Sequence, residues 1–273
     1  MASTDYTLDV TPALNFGVNT TAQEIAVGFW GNSDGIALHN VLARPVGNKL
    51  GPKIPELVLV LYQGMFACFT ASLVCGAVIR KIKPGPFLVF IFLWSTFAYD
   101  PIARWSWNPQ GWSAQYGVLD FAGGTVVHIS SASSVAAYTL FFKYWAQKSY
   151  SKEQIDSLIE EQPPHNITNV VLGTLFLWIG WFGFNGGSAL GANLRAVSAC
   201  VSTHLAACAG GVCGILMEWM WESLEAVQAD YQPEGKTPGL YSIISFCNGA
   251  VAGLVAITPA AGYVRSWPVI LKR

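Results

Sequence analysis

Two ionisable side chains lie in one long apolar stretch of the sequence, where a charge is costly. The stretch begins at Leu119 and reads Leu-Asp-Phe-Ala-Gly-Gly-Thr-Val-Val-His-Ile-Ser, so that it contains Asp120 and His128. A carboxylate at the start of a helix accepts hydrogen bonds from free backbone N–H groups, so Asp120 is interpreted either as a structural anchor or as a ligand contact. His128 lies two helical turns further on. It is either a satisfied core residue or a neutral imidazole that lines a path for a small polar molecule.

A second stretch combines aromatic rings with a hydroxyl group. It begins at Trp178 and reads Trp-Ile-Gly-Trp-Phe-Gly-Phe-Asn-Gly-Gly-Ser, ending at Ser188. An end of a helix that is rich in aromatic residues and glycine is usually a packing feature. A serine oxygen beside aromatic faces is also suited to binding a cation.

The composition requires that membrane helices position these residues. Of 273 residues, 52% are hydrophobic and only 11% are charged, whereas soluble domains carry about 25% charged residues. An apolar stretch of about 20 residues crosses the hydrocarbon core as a helix. We predict an all-α polytopic membrane protein with six such helices, at about 55–79, 86–103, 118–142, 169–190, 197–220 and 240–264.

The predicted spans define three regions of the chain. Residues 1–54 form an N-terminal extramembrane segment, 55–264 the transmembrane domain, and 265–273 a short C-terminal tail. The net charge is −1 and no basic stripe occurs, which argues against nucleic-acid binding. We expect no cofactor, because the six cysteines all fall within predicted spans without Cys/His metal-ligand spacing. We also expect no enzyme: a hydrolase built on Ser188 and His128 is disfavoured because no nucleophile-elbow motif surrounds Ser188.

Several long motifs resemble those of the ammonium transporter family (Amt/Mep/Rh), and they occur in the family's order. They are Asp120 to His128 (Asp-Phe-Ala-Gly-Gly-Thr-Val-Val-His), Tyr62 to Cys68, Trp181 to Ser188, and Gly253 to Tyr263. The stretch Asp100-Pro-Ile-Ala-Arg-Trp-Ser-Trp107 is similar to the fungal Mep branch in particular.

The resemblance implies a function and a role for each matching residue. It implies transport of ammonium or ammonia through a hydrophobic pore, hence nitrogen uptake, by an integral protein of the plasma membrane. Trp107 and Ser188 match the outer site where NH4⁺ is recruited and loses its proton. Phe66 and Phe184 match the two rings that close this vestibule. His128 matches the first histidine of the pore, which relays the proton, and Asp120 matches a structural and electrostatic support.

The family fold has about eleven spans, and by motif order the six spans predicted here correspond to the third to eighth. We therefore interpret the sequence as a truncated member, whose second pore histidine would lie outside these residues. The expected partners are ammonium or ammonia, the lipid bilayer, and either two further copies in a homotrimer or full-length family members. The alternative function is that of a non-conducting fragment that associates with full-length transporters or regulates them.

The basic residues alone do not settle the orientation. Loops after the first, third and fifth spans hold seven Lys and Arg, and the opposite loops hold two, Arg104 and Arg195, but the terminal regions cancel this bias. The resemblance places both termini outside. Of the two glycosylation sequons, Asn19 would then be modified and Asn166 would not.

Overall fold

The computed structural model describes residues 54–78, 82–108, 111–151, 165–228 and 242–264. The N-terminal segment, apart from Ile54, and the C-terminal tail 265–273 lie outside the described residues, as does the sequon at Asn19. The chain divides into two compact units, Met1–Pro163 and Pro164–Arg273.

The first unit contains five α-helices among its described residues, joined in part by π-helical turns. They are α1 (Glu56–Val78), α2 (Pro84–Trp94), α3 (Asp100–Trp107), α4 (Trp112–Gln115) and α5 (Ser130–Ser149), with π-helical segments at Ser95–Tyr99 and Gly124–Ile129. Proline occupies the first turn of α2, where its missing N–H breaks no hydrogen bond. The first π segment joins α2 to α3, so that one helical segment runs without interruption from Pro84 to Trp107.

Helix α1 forms the core of the first unit by packing against α5 and both π segments. Its buried positions, spaced three or four residues apart, are Glu56, Leu59, Gln63, Phe66, Thr70, Val74 and Val78. The other faces carry exposed apolar side chains such as Leu61 and Met65, which suit a lipid environment. One stripe of α1 therefore holds the unit together although the helix is apolar all round.

The second unit contains three α-helices among its described residues. They are α6 (Ile167–Trp181), α7 (Leu194–Gln228) and α8 (Ile243–Ile257), with a π-helical segment at Phe182–Gly186. Asn166 caps α6 by accepting a hydrogen bond from the Asn169 N–H at 3.1 Å. Ser242 caps α8 in the same way through the Ser245 N–H at 3.3 Å.

Helices α7 and α8 pack at backbone contact because glycines face each other along the crossing. Gly210 and Gly214 lie one turn apart on α7, opposite Gly249 and Gly253 on α8. A Cβ atom added to Gly210 would collide with the Gly249 carbonyl oxygen, and one added to Gly249 would collide with the Gly210 carbonyl oxygen. Small residues four apart on both helices permit this close approach in membranes.

Five segments are long and apolar enough to cross a membrane among the described residues. They are Glu56–Gly76, Pro84–Gln115, Gly124–Ser149, Ile167–Gly186 and Leu194–Leu224. They match the first five predicted spans, and the polytopic all-α fold is confirmed.

The sixth predicted span differs in length. Helix α8 has 15 residues and is therefore about 22 Å long, less than the roughly 30 Å hydrocarbon core. Pro259 lies two residues past the end of the helix and has no N–H to continue the helical hydrogen bonds. The chain instead forms turns, with the Tyr263 N–H donating to the Ala260 carbonyl at 2.7 Å.

The structure differs from the predicted spans in two further details. The third helical span begins at Gly124 rather than near Val118, because Leu119 to Gly123 form an irregular approach to it. Arg104, counted as a loop residue, lies on α3 and is fully buried. The helix continues four residues past the predicted end at Ala103, to Trp107.

Candidate functional site

The carboxylate of Asp120 caps the second π-helical segment. One oxygen accepts hydrogen bonds from the N–H groups of Gly123 at 2.9 Å and Gly124 at 2.6 Å. The other accepts from Thr125 at 2.8 Å and Val126 at 3.3 Å. Only 1% of Asp120 is exposed, so this buried charge is compensated by four free N–H groups at the start of the helix.

The indole ring of Trp107 is held from two sides. Its Nε1–H donates to the backbone carbonyl of Asp120 at 3.1 Å. The ring of Phe66 meets the indole edge to face, with centroids 5.4 Å apart and planes at 85°. Phe66 in turn meets Tyr62 at 5.0 Å in another perpendicular contact. Helix α1, helix α3 and the Asp120 turn therefore fix the orientation of Trp107 together.

Gly123 permits the turn that brings Asp120 and Trp107 together. Its φ is 105°, a conformation that glycine adopts without the steric cost of a side chain. A Cβ atom here would lie 2.7 Å from Cγ2 of Val127 and 3.1 Å from Cζ2 of Trp107. No larger residue fits without moving the indole ring.

His128 lies near the end of the π-helical segment that Asp120 caps. Its backbone N–H donates to the Gly123 carbonyl at 3.2 Å, and only 7% of His128 is exposed. Because π-helical turns often occur at functional sites, the local irregularity agrees with a role beyond packing. The cap fixes where this turn begins and therefore where His128 lies along it.

In the second unit, Ser188 and Phe184 lie on adjacent turns. The Ser188 hydroxyl donates to the Phe184 carbonyl at 2.8 Å, and both side chains are half-buried. The Phe184 ring stacks on Trp181, with centroids 5.1 Å apart and planes at 29°. Beside them, Asn185 donates through Nδ2 to Thr203 Oγ1 at 2.8 Å, which holds the π-helical segment against α7.

Trp181 is itself held by a residue beyond the end of α8. Its Nε1–H donates to Thr258 Oγ1 at 2.9 Å, and both residues are buried. The Thr258 hydroxyl donates to the Leu254 carbonyl at 2.8 Å. The turn that contains Thr258 is anchored to α7, because Ser202 donates to the Ala261 carbonyl at 3.0 Å.

The predicted site residues thus form two clusters, one in each unit. In the first unit, Phe66, Trp107 and Asp120 are in direct contact, and His128 follows on the turn that Asp120 caps. In the second unit, the Ser188 hydroxyl donates a hydrogen bond to the backbone carbonyl of Phe184. Sequence analysis did not identify the supporting residues Trp181 and Thr258. The spacing of Trp181 from Phe184 on one helix was a signal, whereas nothing in the sequence pairs Trp181 with Thr258.

The described part of the chain contains no group of three or more His, Cys, Asp or Glu side chains that could hold a metal ion. The described cysteines are all unbonded thiols. The two clusters contain aromatic faces, hydroxyl groups, one imidazole and the capped carboxylate of Asp120, a combination that suits a small cation or a small polar molecule.

Known proteins resemble the chain over nearly its whole length. The model of the Ammonium Transporter Family matches residues 16–271. Ammonium transporter 1 of Schizosaccharomyces pombe is 39% identical over 256 residues, which are 94% of this chain and 46% of that protein. Ammonium transporter MEP2 of Saccharomyces cerevisiae is 38% identical over 259 residues, 95% of this chain and 46% of that protein.

Solved structures agree with these relatives. The crystal structure of Candida albicans Mep2 matches with a TM-score of 0.70 and 37% identity, covering 90% of this chain and 49% of that one. The chain therefore spans about half the length of the relatives it matches. Its helices are of the membrane-spanning type, and it is an integral membrane protein. Motifs, fold and relatives agree, and the chain belongs to the ammonium transporter family.

Proposed function

We propose that the chain takes part in the transport of ammonium or ammonia across the plasma membrane. Trp107 and Ser188 would contact NH4⁺ at the outer mouth, and Phe66 and Phe184 would close this vestibule. The single observation that supports the proposal best is the immobilised Trp107: its Nε1–H is bonded to the Asp120 carbonyl at 3.1 Å and its ring contacts Phe66. An aromatic face held in a fixed orientation binds a cation with little ordering cost.

The physical problem for such a protein is the water around NH4⁺. Removing a cation from water into an apolar path is far more costly than removing neutral ammonia. An indole face and a serine oxygen offset part of that cost at the mouth. The His128 imidazole would accept the proton that the ion loses and pass it on, and the neutral molecule would cross the apolar path.

Asp120 supports this arrangement without contacting the substrate in our proposal. Its two oxygens already accept four backbone N–H groups, which leaves little capacity for an ammonium ion. Its charge still lies close to Trp107, whose indole N–H binds the Asp120 backbone. A negative charge near the recruitment site favours the approach of a cation.

Growth of fungal cells that lack their own ammonium transporters tests the proposal. The chain is expressed in such cells, and growth is followed on low ammonium as the nitrogen source. The proposal predicts growth with the chain and loss of growth with Trp107→Ala or Ser188→Ala. His204→Ala is the control: His204 is an exposed histidine on α7 whose ring contacts Trp178 and Phe182 rather than the proposed recruitment residues, and its loss should leave growth unchanged.

Membrane levels of each variant are measured so that expression does not explain a difference. No growth at equal membrane levels would contradict transport by this chain. The alternative, association with full-length family members, would then be tested by co-purification with a tagged relative. Equal effects of Trp107→Ala and His204→Ala would contradict the assignment of the recruitment site.

A further inference from the structure

We infer that Thr258 is a positioning residue for the Phe184 ring, acting through Trp181. The inference rests on the proposed function only in assigning Phe184 to the vestibule. Thr258 follows α8, and Trp181 ends α6. The contact joins residues 77 positions apart in the sequence, so the sequence alone does not indicate it.

The first step is the direction of the hydrogen bonds at Thr258. Its hydroxyl has one proton, and that proton is used in the bond to the Leu254 carbonyl at 2.8 Å. A lone pair of the same oxygen therefore faces Trp181, whose Nε1–H donates to it at 2.9 Å. A hydroxyl is well suited here because it donates once and accepts once.

The second step is the burial of the pair. Thr258 is 0% exposed and Trp181 is 2% exposed, so water does not replace a lost partner. Removing the acceptor leaves a buried indole N–H without this bond, and such a group reorients to find another. The indole plane of Trp181 is therefore set by the position of Oγ1 of Thr258.

The third step is the stacking of Phe184 on that plane. The two rings are 5.1 Å apart and 29° from parallel, and the π-helical segment that carries Phe184 begins directly after Trp181. When the indole turns, its stacking surface turns with it. The Phe184 ring then loses its rest position.

The test places 4-fluorophenylalanine at position 184 of the full chain and records its fluorine NMR signal. We expect Thr258→Val to shift or broaden the signal and Thr258→Ser to preserve it, because serine keeps both hydrogen bonds. Trp181→Phe should change it whatever holds the indole, because this variant replaces the ring that stacks on Phe184; it shows that the signal reports on position 181. The matched control is Thr174→Val, because the Thr174 hydroxyl is bonded to its own helix, at the Val170 carbonyl, 3.0 Å away.

Uptake of labelled methylammonium is the second readout. Thr258→Val should lower uptake about tenfold, the equivalent of losing one buried hydrogen-bond partner, and Thr258→Ser should restore most of it. An unchanged fluorine signal in Thr258→Val would overturn the inference. So would an equal change in Thr174→Val. A chain that shows the expected signals but no uptake would contradict the proposed function and support the positioning role of Thr258.

Discussion

Replacing Asp120 by Asn should destabilise the first unit although the two side chains have the same shape. Each carboxylate oxygen accepts two backbone N–H groups, at 2.6 and 2.9 Å on one side and 2.8 and 3.3 Å on the other. An amide keeps one accepting oxygen. Its NH2 group would face two N–H donors and repel them, whichever way the amide turns.

The magnitude follows from the number of orphaned donors. Two buried N–H groups lose their acceptor, at roughly 1–3 kcal/mol each, and the remaining pair loses its charge assistance. We expect the free energy of unfolding to fall by about 3–5 kcal/mol. Asp120→Ala should cost at least as much, because all four N–H groups then lose the carboxylate.

The assay is unfolding of the purified chain in mixed micelles with increasing SDS, followed by tryptophan fluorescence. Ser242→Ala provides the control, because Ser242 accepts only one hydrogen bond, at 3.3 Å, as the cap of α8. Loss of such a cap costs about 1 kcal/mol. The expected order of stability is therefore wild type, then Ser242→Ala, then Asp120→Asn.

A stability of Asp120→Asn equal to that of wild type would refute this reasoning. It would mean that the carboxylate does not stabilise the N-terminal turn of the second π-helical segment. A loss no larger than that of Ser242→Ala would likewise show that the four contacts do not act together.

Three further predictions concern other parts of the molecule. Gly210→Leu should separate α7 from α8 and lower the melting temperature. Gly64→Leu is the control and should not lower it, because a Cβ added at Gly64 meets nothing within 4 Å. Equal melting temperatures of the two variants would contradict the close helix contact. Gly123→Ala should displace the indole of Trp107 and reduce methylammonium uptake. Gly173→Ala is the control, because a Cβ added at Gly173 meets nothing within 4 Å. Normal uptake by both variants would argue against the crowding at Gly123. Endoglycosidase treatment should lower the apparent mass of the wild-type protein but not that of Asn19→Gln. A mass shift that depends on Asn166 would reverse the predicted orientation.

The five segments long enough to cross a membrane could be predicted from sequence, because membrane spans need about 20 apolar residues. The buried face of α1 could not be predicted from the sequence, because Leu59 and Leu61 are equally apolar but only Leu59 is buried. In lipid, hydrophobicity no longer distinguishes the inner from the outer face of a helix. The predicted length of α8 was also too great. Pro259 ends the helical hydrogen bonding, but the apolar stretch of sequence continues past it.

The candidate site was predictable where it depends on local sequence. A carboxylate just before an apolar helix has free N–H groups within reach, so the cap position of Asp120 could be anticipated. The support of Trp181 by Thr258 could not, because it depends on how α6 meets the turn after α8. The π-helical turns that carry His128 and Phe184 likewise have no sequence pattern that separates them from α-helix.

Uptake of labelled methylammonium tests the central claim most directly. Cells without ammonium transporters would express the chain or its Trp107→Ala variant at equal membrane levels, and initial uptake would be measured over a range of concentrations. The account predicts saturable uptake with the chain and its loss with the variant. Uptake indistinguishable from that of cells without the chain, or unchanged by the loss of the indole, would contradict it.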